Sequence, residues 1–306
     1  MRERANPGPV LITGCSSGIG RATAAHLAAR GFPVHASARR LEAIADLAAS
    51  GCRLLQLDVC DEASMRLAVQ TLEAEHGAVA VLVNNAGYGL QGALEDLPLD
   101  EVRREFETNL FGPLRLAQLV LPGMRRRGSG RIVNVSSVGG RITTPGNGAY
   151  HASKHALEAL SDVLRFELHG FGIHVVVVEP GAIATRWVET AVRGMQARHD
   201  PGSPYAAFDR SVAERVRGAH EGLLRLASAG PEAVARVIER AITAPRPRTR
   251  YAVPKVSRLF VEGHRWLPDR LWDALMRRMY QAPRPADAGP EEPGPAAARG
   301  GPGCGA

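Results

Sequence analysis

The chain has 306 residues, 45% of them hydrophobic and 23% charged, enough to close one large core or at most two small ones. Collagen-like, disulfide-scaffold and wholly disordered classes are excluded, and no apolar run reaches the roughly 18–20 residues that span a bilayer. The charge balance is 38 basic against 31 acidic residues, a formal +7, which keeps nucleic acid and acidic membrane surfaces open as partners. Of the 38 basic residues, 36 are Arg and only Lys154 and Lys255 are Lys, so a Lys in this chain marks a place where Arg would not serve. The amino terminus is charged with no apolar stretch behind it, so no secretory signal is expected. The four cysteines lack CxxC spacing, and no His cluster suggests a metal. A reducing, cytoplasmic setting is expected.

Short β-branched runs alternate with longer helical patterns from residue 10 to about 180. The runs are Val10–Thr13, Pro33–Ser37, Arg53–Leu57, Val81–Val83, Arg131–Val135 and His174–Val178. Helical patterns cover Gly20–Arg30, Leu41–Ser50, Glu62–His76, Asp100–Arg127 and Ala149–Phe171. Continuously apolar strands between helices predict a parallel sheet covered on both faces. Right-handed crossovers make it an α/β, doubly wound, Rossmann-type fold. Residues 182–230 break the rhythm; a helix at Pro231–Ala244 and a strand at Arg250–Val253 complete the sheet. The expected organisation is an arm at 1–9, one nucleotide-binding catalytic domain at 10–255 with a substrate loop at 182–230, a helical extension at 256–282, and a disordered tail at 283–306.

After the first strand, Thr13-Gly14-Cys15-Ser16-Ser17-Gly18-Ile19-Gly20 opens directly into a helix. Glycines there permit a tight turn and close approach of a pyrophosphate, and the helix N-terminus offers free N–H groups to it. The second strand ends Ala36-Ser37-Ala38-Arg39-Arg40, without the acid that binds a ribose 2′-hydroxyl in NAD sites. Arg39, Arg40, Ser16 and Ser17 suit a 2′-phosphate instead, so NADP(H) is expected over NAD(H). The alternative is that the two arginines are a solvated helix start.

Tyr150 and Lys154 stand at i,i+4 on one helix face, where an ammonium would lower the phenol's pKa toward the working range. The plain alternative is a surface pair, less attractive where Lys is almost absent. The Gly loop, Asn84-Asn85-Ala86-Gly87 after the fourth strand, Ser136-Ser137 after the fifth, Tyr150-x-x-x-Lys154, and Pro180-Gly181 after the sixth follow in order. Together they resemble the short-chain dehydrogenases/reductases over about residues 8–190, with details similar to the hydroxysteroid and retinol dehydrogenase branch.

That resemblance implies Tyr150 as general acid or base, Lys154 tuning it and holding the nicotinamide ribose, Ser137 polarising the substrate carbonyl, and Asn109 keeping a water in a proton relay. Ser136 is the rival to Ser137, which is preferred on spacing. It further implies cofactor contacts from Gly14, Ser16, Ser17, Gly18, Ile19, Gly20, Arg39, Asp58, Val59, Asn85, Ala86, Gly87, Tyr150, Lys154, Pro180, Gly181, Ile183 and Thr185, with no metal. The expected activity is NADP(H)-dependent interconversion of a carbonyl and an alcohol on a bulky hydrophobic small molecule, by a homodimer or homotetramer paired through its long helices. His151 and His155 are given no role.

A stripe of Leu271, Trp272, Leu275, Met276 and Met279, with Arg270, Arg277 and Arg278 off it, has three readings. Packing against the domain or a subunit partner is favoured; a pocket wall or a basic amphipathic helix on an acidic membrane are the others. Nine basic against three acidic residues from Arg246 to Arg278 support a rival class, a nucleic-acid-binding or scaffold protein. The basic stretch lacks aromatic interleaving and a recognition motif, so nucleic acid is not expected. A catalytically silent NADP sensor with a basic interaction segment is the nearer alternative.

Overall fold

The computed structural model describes residues 8–218 and 228–283. The tail expected beyond 283, most of the arm, and residues 219–227 of the predicted substrate loop lie outside the described residues.

Among the described residues, seven strands form one parallel sheet in the order β3-β2-β1-β4-β5-β6-β7. They are β1 (Val10–Ile12), β2 (Val34–Ala38), β3 (Arg53–Gln56), β4 (Val81–Asn84), β5 (Gly130–Val135), β6 (Ile173–Pro180) and β7 (Arg250–Val253). Every residue of β1, β2 and β4 is buried, as continuous apolar runs require when helices cover both faces. The edge strand β3 is half-exposed and shows the weaker pattern Arg-Leu-Leu-Gln.

One face is covered by α1 (Gly18–Ala29), a 3₁₀ segment at Leu41–Ala48 and, after the catalytic region, the helix at Pro231–Thr243; Leu27, Ile44, Ile238 and Ile242 pack there against Val10, Ile12 and Val81. The other face holds α2 (Glu62–His76) and the long helical stretch from Leu99, where Leu72, Leu116 and Met124 meet Leu11, Leu82 and Ile132. The helix expected at Leu41–Ser50 is 3₁₀ because only Ile44 and Leu47 are buried, three residues apart, which matches three residues per turn.

The stretch predicted as one helix at Asp100–Arg127 is α3 (Leu99–Phe106), a π-helical turn at Glu107–Phe111, and α4 (Gly112–Arg127). A Cβ at Gly112 would lie 2.5 Å from the Val59 carbonyl oxygen, so the helix packs against the loop after β3 only with glycine there. The helix predicted to Phe171 ends earlier: α5 spans Gly148–Glu167, and a 3₁₀ turn follows, closed by the left-handed Gly172. Residues 182–218 hold two helices, α6 (Trp187–Arg198) and α7 (Ala206–Gly218). Then come α8 (Pro231–Thr243), α9 (Lys255–Arg265) and α10 (Asp269–Met279).

Polar side chains stitch the interior. Asn84 Nδ2 donates to Asn134 Oδ1 at 2.9 Å, and Asn134 Nδ2 donates to Ser161 Oγ at 2.9 Å, tying β4, β5 and α5 together. Arg250 bonds Glu158 at 2.9 Å and Asp162 at 2.7 Å, which fixes β7 to α5. No described helix is long and apolar enough to cross a membrane.

Candidate active site

Strand order reverses between β1 and β4, so the carboxyl ends of the strands open onto a crevice. The cleft there has a volume of about 1140 Å³. Every predicted cofactor-binding residue lines it except Gly20, and every predicted catalytic residue except Asn109.

Gly20 and Gly14 shape the turn from behind. Gly14 has φ +71°, and a Cβ on it would lie 2.7 Å from Ala86 Cα; a Cβ on Gly20 would lie 2.5 Å from the Gly14 carbonyl oxygen. Thr13 Oγ1 accepts from the Asn85 and Ala86 N–H groups at 3.0 Å, and Asn85 Nδ2 donates to the Thr13 carbonyl at 2.8 Å. The Asn85 amide is thus committed to clamping the turn. The first turn of α1 carries no acid, and its N-cap Ser17 makes no side-chain capping bond. Free amides and the positive end of the helix dipole therefore meet the cleft at Ser16, Ser17, Gly18 and Ile19, a cradle that fits a pyrophosphate.

At the end of β2, Ser37 Oγ donates to the Ile12 carbonyl at 2.9 Å. Arg39 lines the cleft and is exposed, whereas Arg40 does not line it. No acid faces this corner from β2 itself. Asp58, across from it, accepts the Cys60 N–H at 3.0 Å.

Tyr150 and Lys154 occupy the first turns of α5. Lys154 is buried, and its Nζ donates to the Val135 carbonyl at 3.1 Å, 5.9 Å from the centroid of the Tyr150 ring. Burial pushes Lys154 down to about 8, against the upward pull of Glu105 and Glu158. Burial pushes Tyr150 up to about 12, opposed by hydrogen bonding with Ser137. In this arrangement Lys154 Nζ is turned to the Val135 carbonyl and desolvation dominates the phenol, which keeps its proton at neutral pH. Ser137 Oγ also accepts the Gly139 N–H at 3.0 Å. Ser136 lines the cleft as well but is buried with its hydroxyl unpartnered, so Ser137 is the serine joined to Tyr150.

Asn109 is fully buried on the π turn. Its Oδ1 accepts the Tyr88 N–H at 3.1 Å; its Nδ2 donates to the Tyr88 carbonyl at 2.9 Å and to Ser153 Oγ at 3.0 Å. A Cβ on Gly87 would sit 2.9 Å from Asn109 Oδ1 and 3.4 Å from Lys154 Nζ, so both groups converge on that glycine. The widened turn that brings Asn109 there is a recurrent device of functional sites.

Two groups near the site, Glu105 and His151, escape sequence reasoning, whereas Trp187 belongs to the apolar set that the sequence offers for the substrate. Glu105, one turn before Asn109, is completely buried; its Oε1 accepts the Leu90 N–H at 2.8 Å and its Oε2 has no partner. Burial lifts it to about 7, with Lys154 among the charges pulling it down. In the sequence it reads as one more charge in Arg103-Arg-Glu-Phe-Glu107. His151 lines the cleft, accepts the Thr144 N–H at Nδ1 (3.1 Å), and is pushed down to about 4 by burial, so it is neutral. Trp187 lies 5.6 Å from the Tyr150 ring, centroid to centroid. At the amino-terminal edge of the sheet, His35, Glu75 and His76 bring ligand atoms within 4.8 Å of one another, a trio that no linear spacing announces.

A Rossmann-type sheet, an anion cradle at its switch point and a tyrosine–lysine helix opening into the same cleft define a dinucleotide-binding oxidoreductase. The chain matches the short chain dehydrogenase family over residues 9–196, and it belongs to that family. It is 35% identical over 281 residues to a 3-ketodihydrosphingosine reductase of Bacteroides thetaiotaomicron, covering 90% of this chain and 98% of the relative. It is 39% identical over 260 residues to 17-beta-hydroxysteroid dehydrogenase type 1 of Homo sapiens, covering 79% and 76%. The crystal structure of a short-chain dehydrogenase from Streptomyces avermitilis superposes with a TM-score of 0.72 at 34% identity, covering 88% of this chain and 96% of that one.

Proposed function

We propose that the protein is an NADP(H)-dependent oxidoreductase that interconverts a carbonyl and an alcohol on a bulky apolar substrate. The observation that carries this reading is that Tyr150, Ser137 and Lys154 face the same cleft as the anion-accepting turn of Gly14–Ile19. A bound nicotinamide supplies or accepts the hydride. Ser137 and Tyr150 donate hydrogen bonds to the carbonyl oxygen, where negative charge develops during reduction. Tyr150 holds its proton at neutral pH, being raised to about 12, and delivers it to that oxygen. Lys154, kept beside Gly87 with Asn109, holds the ammonium that steadies the phenolate left behind.

Arg39 at the cleft wall, with no acid at the end of β2, supports a 2′-phosphate and so NADP(H). The substrate end is walled by Ile142, Trp187, Val188, Val216 and Tyr280, an apolar lining suited to a lipid or steroid skeleton. Two relatives are named for such substrates, a ketosphingoid base and a hydroxysteroid. Exposed Val163 and Phe166 on α5 support pairing of two chains through the long helices.

The test is a panel of ketones and aldehydes with NADPH and NADH side by side, and of alcohols with the oxidised cofactors. Turnover preferring NADPH, lost in Tyr150→Phe while cofactor binding is kept, is the expected result. Silence of the wild-type protein across both panels would instead favour a cofactor sensor.

A further inference from the structure

The two helices after β7 are only shallowly attached to the rest of the protein. In α9 and α10 just Val261, Trp272 and Met276 are buried, with Trp272 Nε1 donating to the Thr143 carbonyl at 3.2 Å. Trp272 also packs edge-on against His264, with ring centroids 4.4 Å apart. Of the stripe expected to pack, Leu271 and Leu275 therefore remain exposed.

Val256, Leu259, Phe260 and Trp266 are exposed as well, the last 83%, with the Phe260 ring 6.0 Å from that of Trp272. On α9, Val256, Leu259 and Phe260 fall at i, i+3 and i+4, one stripe beside the buried Val261. Scattered exposed apolar side chains need no explanation, but six within twenty residues do.

Lys255, Arg258, Arg265, Arg270, Arg277 and Arg278 accompany this apolar surface, against Glu262, Asp269 and Asp273. None of the six cations makes an ion pair among the described residues, whereas Arg250, just before them, makes several. Two copies of this face brought together would oppose cations to cations, so charge disfavours self-association here. An acidic, partly apolar surface is what complements it.

Tyr280, the residue after α10, lines the cleft, with the Arg215 guanidinium 5.5 Å above its ring. The carboxyl end of α10 thus leads into the wall of the cleft.

We propose that the outer face of α9 and α10 docks the protein on an anionic lipid bilayer, with Leu259, Phe260, Trp266 and Leu271 entering the interface and the six cations meeting the headgroups. The helices lie in the membrane surface and do not cross it. Docking itself does not depend on the proposed activity. If that activity holds, docking sets the cleft beside the phase in which a lipophilic ketone dissolves.

The test is cosedimentation of the full chain with vesicles of phosphatidylcholine alone and with vesicles containing phosphatidylglycerol, at low and high salt. The wild-type protein is expected to sediment with the anionic vesicles only and to be released by salt, since such attraction decays within a Debye length. Trp266→Ser is expected to weaken binding at least tenfold, and Arg265→Ala with Arg270→Ala by roughly fivefold per cation removed. All of these positions are exposed, and an unchanged thermal melt would confirm that the variants fold. Absence of sedimentation with anionic vesicles overturns the proposal. So does binding that is indifferent to lipid charge or to these substitutions. A concentration-dependent dimer in analytical ultracentrifugation that Trp266→Ser dissociates would also overturn it, assigning the face to a second copy of the chain.

Discussion

Replacing Lys154 by Met should make the protein more stable while destroying its activity. The side chain is 5% exposed, and burial lowers its pKa from 10.5 to about 8. That shift corresponds to about 3 kcal/mol of destabilisation by the buried ammonium wherever the folded protein holds it charged. Methionine keeps the stem and removes the charge. It also removes the hydrogen bond to the Val135 carbonyl, which contributes about 1 kcal/mol. The net expectation at pH 7 is a gain of about 2 kcal/mol.

The gain is lost as pH rises: near pH 10.5 little of the ammonium's penalty remains, and the missing hydrogen bond leaves the variant slightly less stable than wild type. Because the folded pKa lies below the unfolded one, the unfolded wild-type chain binds more protons between about pH 8 and 10.5. Wild-type stability therefore rises through that window, while the variant has no group there to titrate. Urea unfolding followed by tryptophan fluorescence at pH 7 and at pH 10.5 measures both points. Turnover should fall at least a hundredfold, the usual worth of positioned acid–base groups. A variant less stable than wild type at pH 7, or a gap equal at both pH values, would refute the reasoning.

Glu105→Gln removes a charge that raises the Lys154 pKa, so the alkaline limb of kcat/KM should move to lower pH. With only two lysines in the chain, ¹³C-lysine NMR can follow the same change without turnover. Gly20→Ala places a methyl 2.5 Å from the Gly14 carbonyl oxygen, and the turn must open. NADPH affinity by fluorescence titration should drop at least tenfold, in line with about 1–3 kcal/mol for overpacking. Arg39→Ser should lower the proposed preference for NADPH over NADH by roughly tenfold to a hundredfold, measured as the ratio of kcat/KM values, the loss of one charge-assisted hydrogen bond. An unchanged ratio would remove Arg39 from cofactor choice.

The features legible in the sequence are those whose physics is local. Apolar runs of four to six residues between helical patterns already specify a parallel sheet, because only strands covered on both faces are apolar throughout. Gly14 and Gly20 announce a turn that tolerates no side chain, and Tyr150 with Lys154 share a face because four residues make about one helical turn. What stayed hidden depends on contacts between distant segments. The π turn at Glu107–Phe111 aims Asn109 at Tyr88 and Ser153, and neither partner can be read from Thr-Asn-Leu-Phe-Gly. Glu105 and His151 look like surface residues until packing buries them beside the site.

Charge states lay furthest from the sequence. Spacing alone suggested a lysine that lowers its tyrosine's pKa, yet burial moves both groups toward their neutral forms, and Lys154 turns to Val135. The sequence by itself determined which residue types meet along each strand and helix. Only the tertiary structure decided how much water each keeps, and desolvation is what sets the proton affinity of a buried group.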